Sequence, residues 1–199
     1  MARLTRSQLL YDGCYAHVMS RSIAKNKIFK DQDDFELFSK LLLNVKRENK
    51  FKIFHYCLMH THFHLAVKMS RRELFSKAIQ KLKSLYTYQY HTKYKAVGPI
   101  WRGRFRSMLI ESEDYVYACG QYIENNPLKI DLVKQSRDWK YSSSAHYVEG
   151  RKNDLIDDYE NHALPRAPKD VDVFDDALFE KGLGIGSSFF RFQLKESVK

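Results

Sequence analysis

Apolar positions along this chain switch between two spacings, every second residue and every third or fourth, and the switches mark its elements. Cys14 to Arg21 alternates as a first strand, and Asn26 to Phe29 reads as its exit. From Asp31 to Lys50 the spacing becomes helical: Phe35, Phe38, Leu41, Leu42 and Val45 form one stripe, with Asp31 or Asp33 as the cap. Two strands follow, Phe51 to Met59 and His62 to Met69, joined by a short link. Ser70 is placed to cap a long helix whose Leu74, Phe75, Ala78, Ile79, Leu82, Leu85 and Tyr86 face the core. After a loop over Lys95 to Pro99, Gly103 to Ile110 reads as a fourth strand. A helix capped by Ser112 then runs to about Asn125 and stops before Pro127.

Strand, helix, strand, strand, helix, strand is the order of a split βαβ unit. The fold class expected is α+β: a ferredoxin-like (RRM-like) α/β sandwich with an antiparallel sheet. Two helices cover one face, and the helix after the fourth strand packs on the other. A short helix ending near Gly150 closes this region, read as a domain over 1–150. Residues 151–199 read as an acidic C-terminal extension, with a helix expected over 170–182 and a strand over 188–194.

Charge adds a partner to this outline. Between Arg71 and Arg106 ten basic residues stand against one acid, Glu73, and from Arg151 to Glu180 nine acids stand against four bases. A concentrated basic block suits a polyphosphate, because each neutralised phosphate releases a counterion. Arg71, Arg72, Lys81, Lys83, Arg102, Arg104 and Arg106 are the candidate DNA contacts, and a solvated basic helix face is the plainer explanation. Tyr86, Tyr90 and Tyr94 recur every four residues beside lysines, where they would stack bases or simply pack. No apolar run reaches the ~18 residues of a membrane span, and the N-terminus shows no secretory pattern. Three cysteines with no CxxC pair point to a reduced, cytoplasmic setting, with Cys57 and Cys119 as small core residues.

The candidate chemistry lies at His62-Phe63-His64. On a strand these two imidazoles project from one face, about 6–7 Å apart at their bases, while Phe63 and Leu65 take the other. Tyr122 and Asn126 stand one helical turn apart some sixty residues later. Two imidazoles and an amide oxygen make a mixed nitrogen and oxygen set that suits Mn²⁺ or Mg²⁺, with Tyr122 as nucleophile. Each residue alone has a commoner role: a rim tyrosine, surface histidines, a helix stop. His60, in the turn, reads as polar decoration.

The same residues resemble a known family, the single-tyrosine HUH transposases, and within it the REP-associated tyrosine transposases. The matching text is His17-Val-Met-Ser-Arg21, Ile28-Phe29 before Asp33-Asp-Phe35, His55-Tyr-Cys-Leu-Met59 and His62-Phe-His-Leu65. It continues through Trp101-Arg-Gly-Arg-Phe105, Tyr122-Ile123 with Asn126-Pro127, and Trp139 with Tyr141-Ser142-Ser143, covering roughly residues 13–148. The resemblance implies a divalent-metal-dependent enzyme that nicks and rejoins hairpin-forming single-stranded DNA through a 5′-phosphotyrosine. Carried over by position, His62 and His64 are the metal pair, Asn126 the third ligand and Tyr122 the nucleophile. One departure stands out: the family usually has Pro-Asn before the first histidine, and here the turn is His60-Thr61. Two other functions share these features: a ferredoxin-like nucleic-acid-binding module without chemistry, and a metal-dependent hydrolase that uses water. The resemblance fits a monomer or a homodimer equally.

Overall fold

Four strands pair in the order β2-β3-β1-β4: β1 Tyr15–Arg21, β2 Lys52–Met59, β3 His62–Lys68 and β4 Arg106–Ile110. Every pairing is antiparallel, which is the ferredoxin-like arrangement expected from the element order. The computed structural model describes residues 10–110 and 113–159. The expected cap Ser112, the helix over 170–182 and the strand over 188–194 lie outside them.

Helix α1, Gln32–Asn49, is capped by Asp31, whose carboxylate accepts the Asp34 amide, and ends at Lys50 in a left-handed conformation. Its Phe35, Phe38, Leu42 and Val45 are buried, with Leu41 half-buried at the edge of the stripe. Helix α2, Arg72–Tyr94, starts differently from expectation. Asp12 supplies the cap, accepting the Arg72 amide, while the Ser70 hydroxyl donates to the Asn49 carbonyl at the end of α1. Phe75, Ala78, Ile79, Leu82 and Tyr86 face the core, but Leu74 and Leu85 are exposed. Each sits one residue before a core position, about 100° around the helix, which carries it past the edge of the buried stripe.

The fourth strand is shorter than its alternation suggests. Trp101 bridges Ser22, the Gly103 amide donates to the Trp101 carbonyl, and Gly103 takes a positive φ, so the chain turns before Arg106. Phe105 plugs the turn into the core edge-on to Phe75.

The sheet separates two apolar layers. Val18, Phe63, Leu65, Val67 and Leu58 pack under α1 and α2 with Phe29, Phe38 and Trp101. On the opposite face Met19, Cys57, Met59, Ala66 and Met108 pack under α3, Glu113–Glu124, through Val116, Cys119, Tyr122 and Ile123. Burial holds the Cys57 thiol well above its usual pKa, so it behaves as the small hydrophobe expected, as does fully buried Cys119. A helical turn, α4 (Asn126–Lys129), and a short helix, α5 (Ser144–Glu149), complete this side.

The chain stays on the sheet past Gly150. Asp157 donates its amide to the Ile53 carbonyl, its carboxylate accepts the Ile53 amide and pairs with Lys46, and Leu155 and Tyr159 are buried. The packed body thus extends beyond the point where the acidic composition begins.

Helix α3 approaches the sheet closely at Gly120, where a Cβ would stand 2.3 Å from the His55 ring carbons. Gly120→Ala therefore lifts the helix or displaces a buried ring, and overpacking of this kind costs about 1–3 kcal/mol. The expected result is a fall in Tm of about 2–4 °C for each kcal/mol; an unchanged thermal melt contradicts this packing.

Candidate active site

The register of the sheet decides which side chains share the face beneath α3. Met19 lies opposite His64, Arg21 opposite His62 and His17 opposite Ala66. Directly paired residues project to one side, so His17, Arg21, His62 and His64 share the face expected for the histidine pair. The rings of His62 and His64 stand 4.9 Å apart, centroid to centroid. Above them, the Tyr122 ring meets His64 edge-on at 6.3 Å and His17 at 6.0 Å. The two expected histidines and the expected tyrosine therefore come together, and a third imidazole joins them.

That third imidazole carries part of the geometry. His17 Nε2 and His64 Nδ1 are hydrogen-bonded at 2.9 Å, and both rings are fully buried. At His62 the Nδ1 is held by the Thr61 hydroxyl at 2.8 Å. Both members of the pair are thus gripped at Nδ1. Burial first, then the neighbouring charges of His62, His17, Arg21 and Lys129, hold the His64 pKa well below its usual value, so this imidazole is neutral at neutral pH. Its Nε2 is buried with no hydrogen-bond partner.

Asn126 follows Tyr122 by four residues, just beyond the end of α3. It is buried, and its amide nitrogen donates to the carbonyls of Tyr122 (3.0 Å) and Ile123 (3.1 Å). This closes the end of α3 and leaves the side-chain oxygen as the end with ligating chemistry. Lys129 places its ammonium 3.6 Å from the centre of the Tyr122 ring.

The donor set is a mixed one that a divalent cation can use, with water and phosphate oxygens filling the other positions: neutral imidazole nitrogens oriented through Nδ1, one of them buried without a partner, and an amide oxygen. Among the described residues no group of three or more His, Cys, Asp or Glu is arranged for a metal. The ligands expected from the sequence are two imidazoles and one amide, a set without a carboxylate or thiolate.

The altered turn is firmly held. His60 is not decoration: its ring Nδ1 bonds the Phe29 carbonyl at 2.7 Å, and its own carbonyl accepts the Ile28 and Phe29 amides. The Thr61 carbonyl accepts the Ser22 amide. These bonds fix the turn without proline, and Thr61 also orients His62.

The basic block divides. Arg72, Lys77, Lys83 and Arg104 line an open groove of about 1290 Å³ along α2, with Tyr88 and Trp101. Arg102, Arg104 and Arg106 meet Arg21 in a small crevice, so Arg104 belongs to both. Arg71 is exposed at the start of α2, and Lys81 is exposed and pairs with Glu48. Lys83 is buried, and its ammonium donates to the Gly103 carbonyl at 2.7 Å, anchoring the turn before β4. The tyrosine row does not form a base-stacking platform. Tyr86 is buried with its hydroxyl on the Ile28 carbonyl, and Tyr90 and Tyr94 pack together beneath Lys30. The exposed tyrosine of this helix is Tyr88, from the other side.

His17, Thr61 and Lys129 are the residues that sequence reasoning left without a role. The signal for His17 was its alternation with Met19 and Arg21, which puts a histidine in step with His64 once β1 and β3 are paired.

No functionally curated protein matches this chain. Among solved structures, a REP-associated tyrosine transposase bound to a REP hairpin is similar over 80% of this chain and 96% of its own, with 21% identity and a TM-score of 0.59. A transposase-like protein from Deinococcus radiodurans R1 covers 62% of this chain and 97% of its own, at 15% identity and a TM-score of 0.42. The sequence pattern of one family, described as Transposase IS200 like, matches residues 10–126. That match spans both histidines, Tyr122 and Asn126, and it places the chain in the IS200-like transposase family, whose members cleave and join DNA.

Proposed function

We propose that this transposase nicks and rejoins single-stranded DNA through Tyr122, with His62, His64 and Asn126 as ligands of Mg²⁺ or Mn²⁺. The observation that carries the reading is the Tyr122 ring lying against His64, whose buried Nε2 has no hydrogen-bond partner. A divalent cation bound there supplies polarisation of the scissile phosphate and offsets charge in the transition state.

The protein's own residues do the rest. Tyr122 gives up its phenolic proton to solvent and its oxygen attacks phosphorus; the Tyr122–phosphorus bond forms as the bond from phosphorus to the 3′-oxygen breaks. That oxygen draws its proton from solvent and leaves as a 3′-hydroxyl, while the 5′-phosphate stays on the tyrosine. Lys129, over the ring, stabilises negative charge as the proton departs. Rejoining is the reverse attack by a 3′-hydroxyl, so the bond energy is conserved and no nucleotide is consumed. Arg21, Arg102, Arg104 and Arg106 present cationic donors for the phosphates of the strand leading to the histidines. Hairpin DNA is the proposed substrate, supported by the hairpin carried by the fold neighbour.

The test is incubation of the full chain with labelled hairpin DNA and Mn²⁺, followed by denaturing electrophoresis. The expected result is a covalent protein–DNA band, absent in Tyr122→Phe and reduced at least 100-fold in His64→Ala, beyond the roughly 10–100-fold cost of losing a group that only orients a ligand. Cleavage that persists in Tyr122→Phe would support a hydrolase that uses water, and DNA binding with no cleavage would support the silent module.

Neutral His64 also sets a pH dependence in the metal-free protein. Unfolding frees this imidazole to protonate near its ordinary value of 6.5, whereas the folded chain resists until lower pH. Between those values the unfolded state binds more protons, so stability rises with pH. Its contribution is complete above about pH 6.5 and is lost as pH falls below it, by at most about 1.4 kcal/mol per pH unit. Denaturant titrations between pH 7.5 and 5 should show this slope flattened in His64→Asn; an identical slope in both proteins contradicts a buried neutral His64.

A further inference from the structure

We propose that Glu124, through its pair with His55, is a positioning residue for Tyr122, holding α3 at the height and rotation the reaction needs. This rests on the reading of Tyr122 as the nucleophile. Gly120 and Glu124 stand four residues apart on one flank of α3, and Tyr122 lies between them in sequence, about 160° around the helix. The flank bearing Gly120 and Glu124 closes on the His55 ring from β2. Gly120 leaves no room for a Cβ there, and the Glu124 carboxylate meets His55 Nδ1 at 2.7 Å.

The pair sits in a network in which each buried polar atom can find a partner. The Ser143 hydroxyl donates to the same Glu124 oxygen at 2.5 Å, and the Tyr159 hydroxyl lies 2.6 Å from His55 Nε2. With Tyr159 donating to Nε2, the Nδ1–H donates to the carboxylate and no buried atom of the network is left over. His55, Glu124, Ser143 and Tyr159 are all buried, and the His55 ring stacks on Tyr147 at 4.5 Å. Among the described residues, α3 also packs on the sheet through the apolar side chains of Val116, Cys119 and Ile123. Apolar burial has no direction and tolerates sliding, whereas a satisfied buried polar network selects one register. A nucleophile needs placement to within about 0.5 Å, and Glu124 is two residues, about 3 Å of helix rise, from Tyr122. The polar grip therefore acts on the same helical turn as the phenol, from the side away from the histidines. Tyr159 reaches His55 because Asp157 is bonded to Ile53 on the edge of the sheet, so the segment after Gly150 completes the grip.

The experiment compares full-length Glu124→Ala, Glu124→Gln and Ser143→Ala with the unaltered chain, well below the melting temperature of each. Four quantities are read: the single-turnover rate of Tyr122–DNA adduct formation, DNA affinity, thermal stability, and hydrogen exchange of the amides from 116 to 126. Glu124→Ala should slow adduct formation at least tenfold while DNA affinity changes less than twofold, with faster exchange over 116–126. Glu124→Gln, which keeps an oxygen to accept from His55 and Ser143, should restore the rate to within about threefold. A folded Glu124→Ala protein that forms the adduct within twofold of the normal rate overturns the proposal. Should Glu124→Ala not fold, Ser143→Ala carries the test: slowing of threefold or more supports the proposal, and a smaller effect overturns it. If the unaltered chain forms no adduct, the reading of Tyr122 as nucleophile has failed. The grip on α3 is then judged on exchange alone, and unchanged exchange over 116–126 in these variants overturns it.

Discussion

The hydrogen bond between two buried imidazoles, His17 Nε2 and His64 Nδ1, is the interaction on which the candidate site depends. It joins adjacent strands at the centre of the sheet and holds His64 with its Nε2 available. Such a contact exists only because β1 and β3 pair in one register. A slip of one residue would send His62 and His64 into the aromatic layer beneath α1 and α2, and Phe63 under α3. The register in turn is enforced by that aromatic layer, where Phe63 packs against Phe38 and Trp101. Apolar packing on one face of the sheet thereby fixes polar geometry on the other.

Burying imidazoles under a helix costs stability unless their nitrogens are used. Here the cost is limited from two directions. Thr61 and His17 take the Nδ1 atoms of the pair, and α3 seals the layer with Val116, Cys119 and Ile123. The same helix delivers Tyr122, so the element that desolvates the histidines also brings the phenol to them. Its placement draws on a second histidine, His55, at the β2 side. One histidine cluster reads as chemistry and the other as support for the same helix.

Much of this was legible in the chain. Alternation located the strands, the helical stripe of Phe35, Phe38, Leu42 and Val45 located α1, and the two-residue period placed His62 and His64 on one face. The long-range facts were not legible. Ser70 looked like a cap because the sequence cannot show that Asp12, sixty residues earlier, reaches the Arg72 amide first. Leu74 and Leu85 looked like core because hydrophobicity does not say where a stripe ends. Whether Tyr86 stacks bases or packs stays open in the sequence because its partner, the Ile28 carbonyl, comes from a distant loop. The weight of the His60-Thr61 turn was hidden for the same reason, since its bonds run to Phe29, Ile28 and Ser22. Local pattern carried the elements and the facing of the histidine pair, and tertiary pairing carried everything that orients them.

The central claim is that β3 presents two imidazole nitrogens of His62 and His64 to one cation beneath Tyr122. Pulsed EPR of the Mn²⁺-loaded full chain, with ¹⁵N-labelled histidine, reads this directly. Two coupled imidazole nitrogens are expected, with one remaining in either His62→Ala or His64→Ala. A Mn²⁺ signal without imidazole coupling, or coupling unchanged by both substitutions, would contradict it.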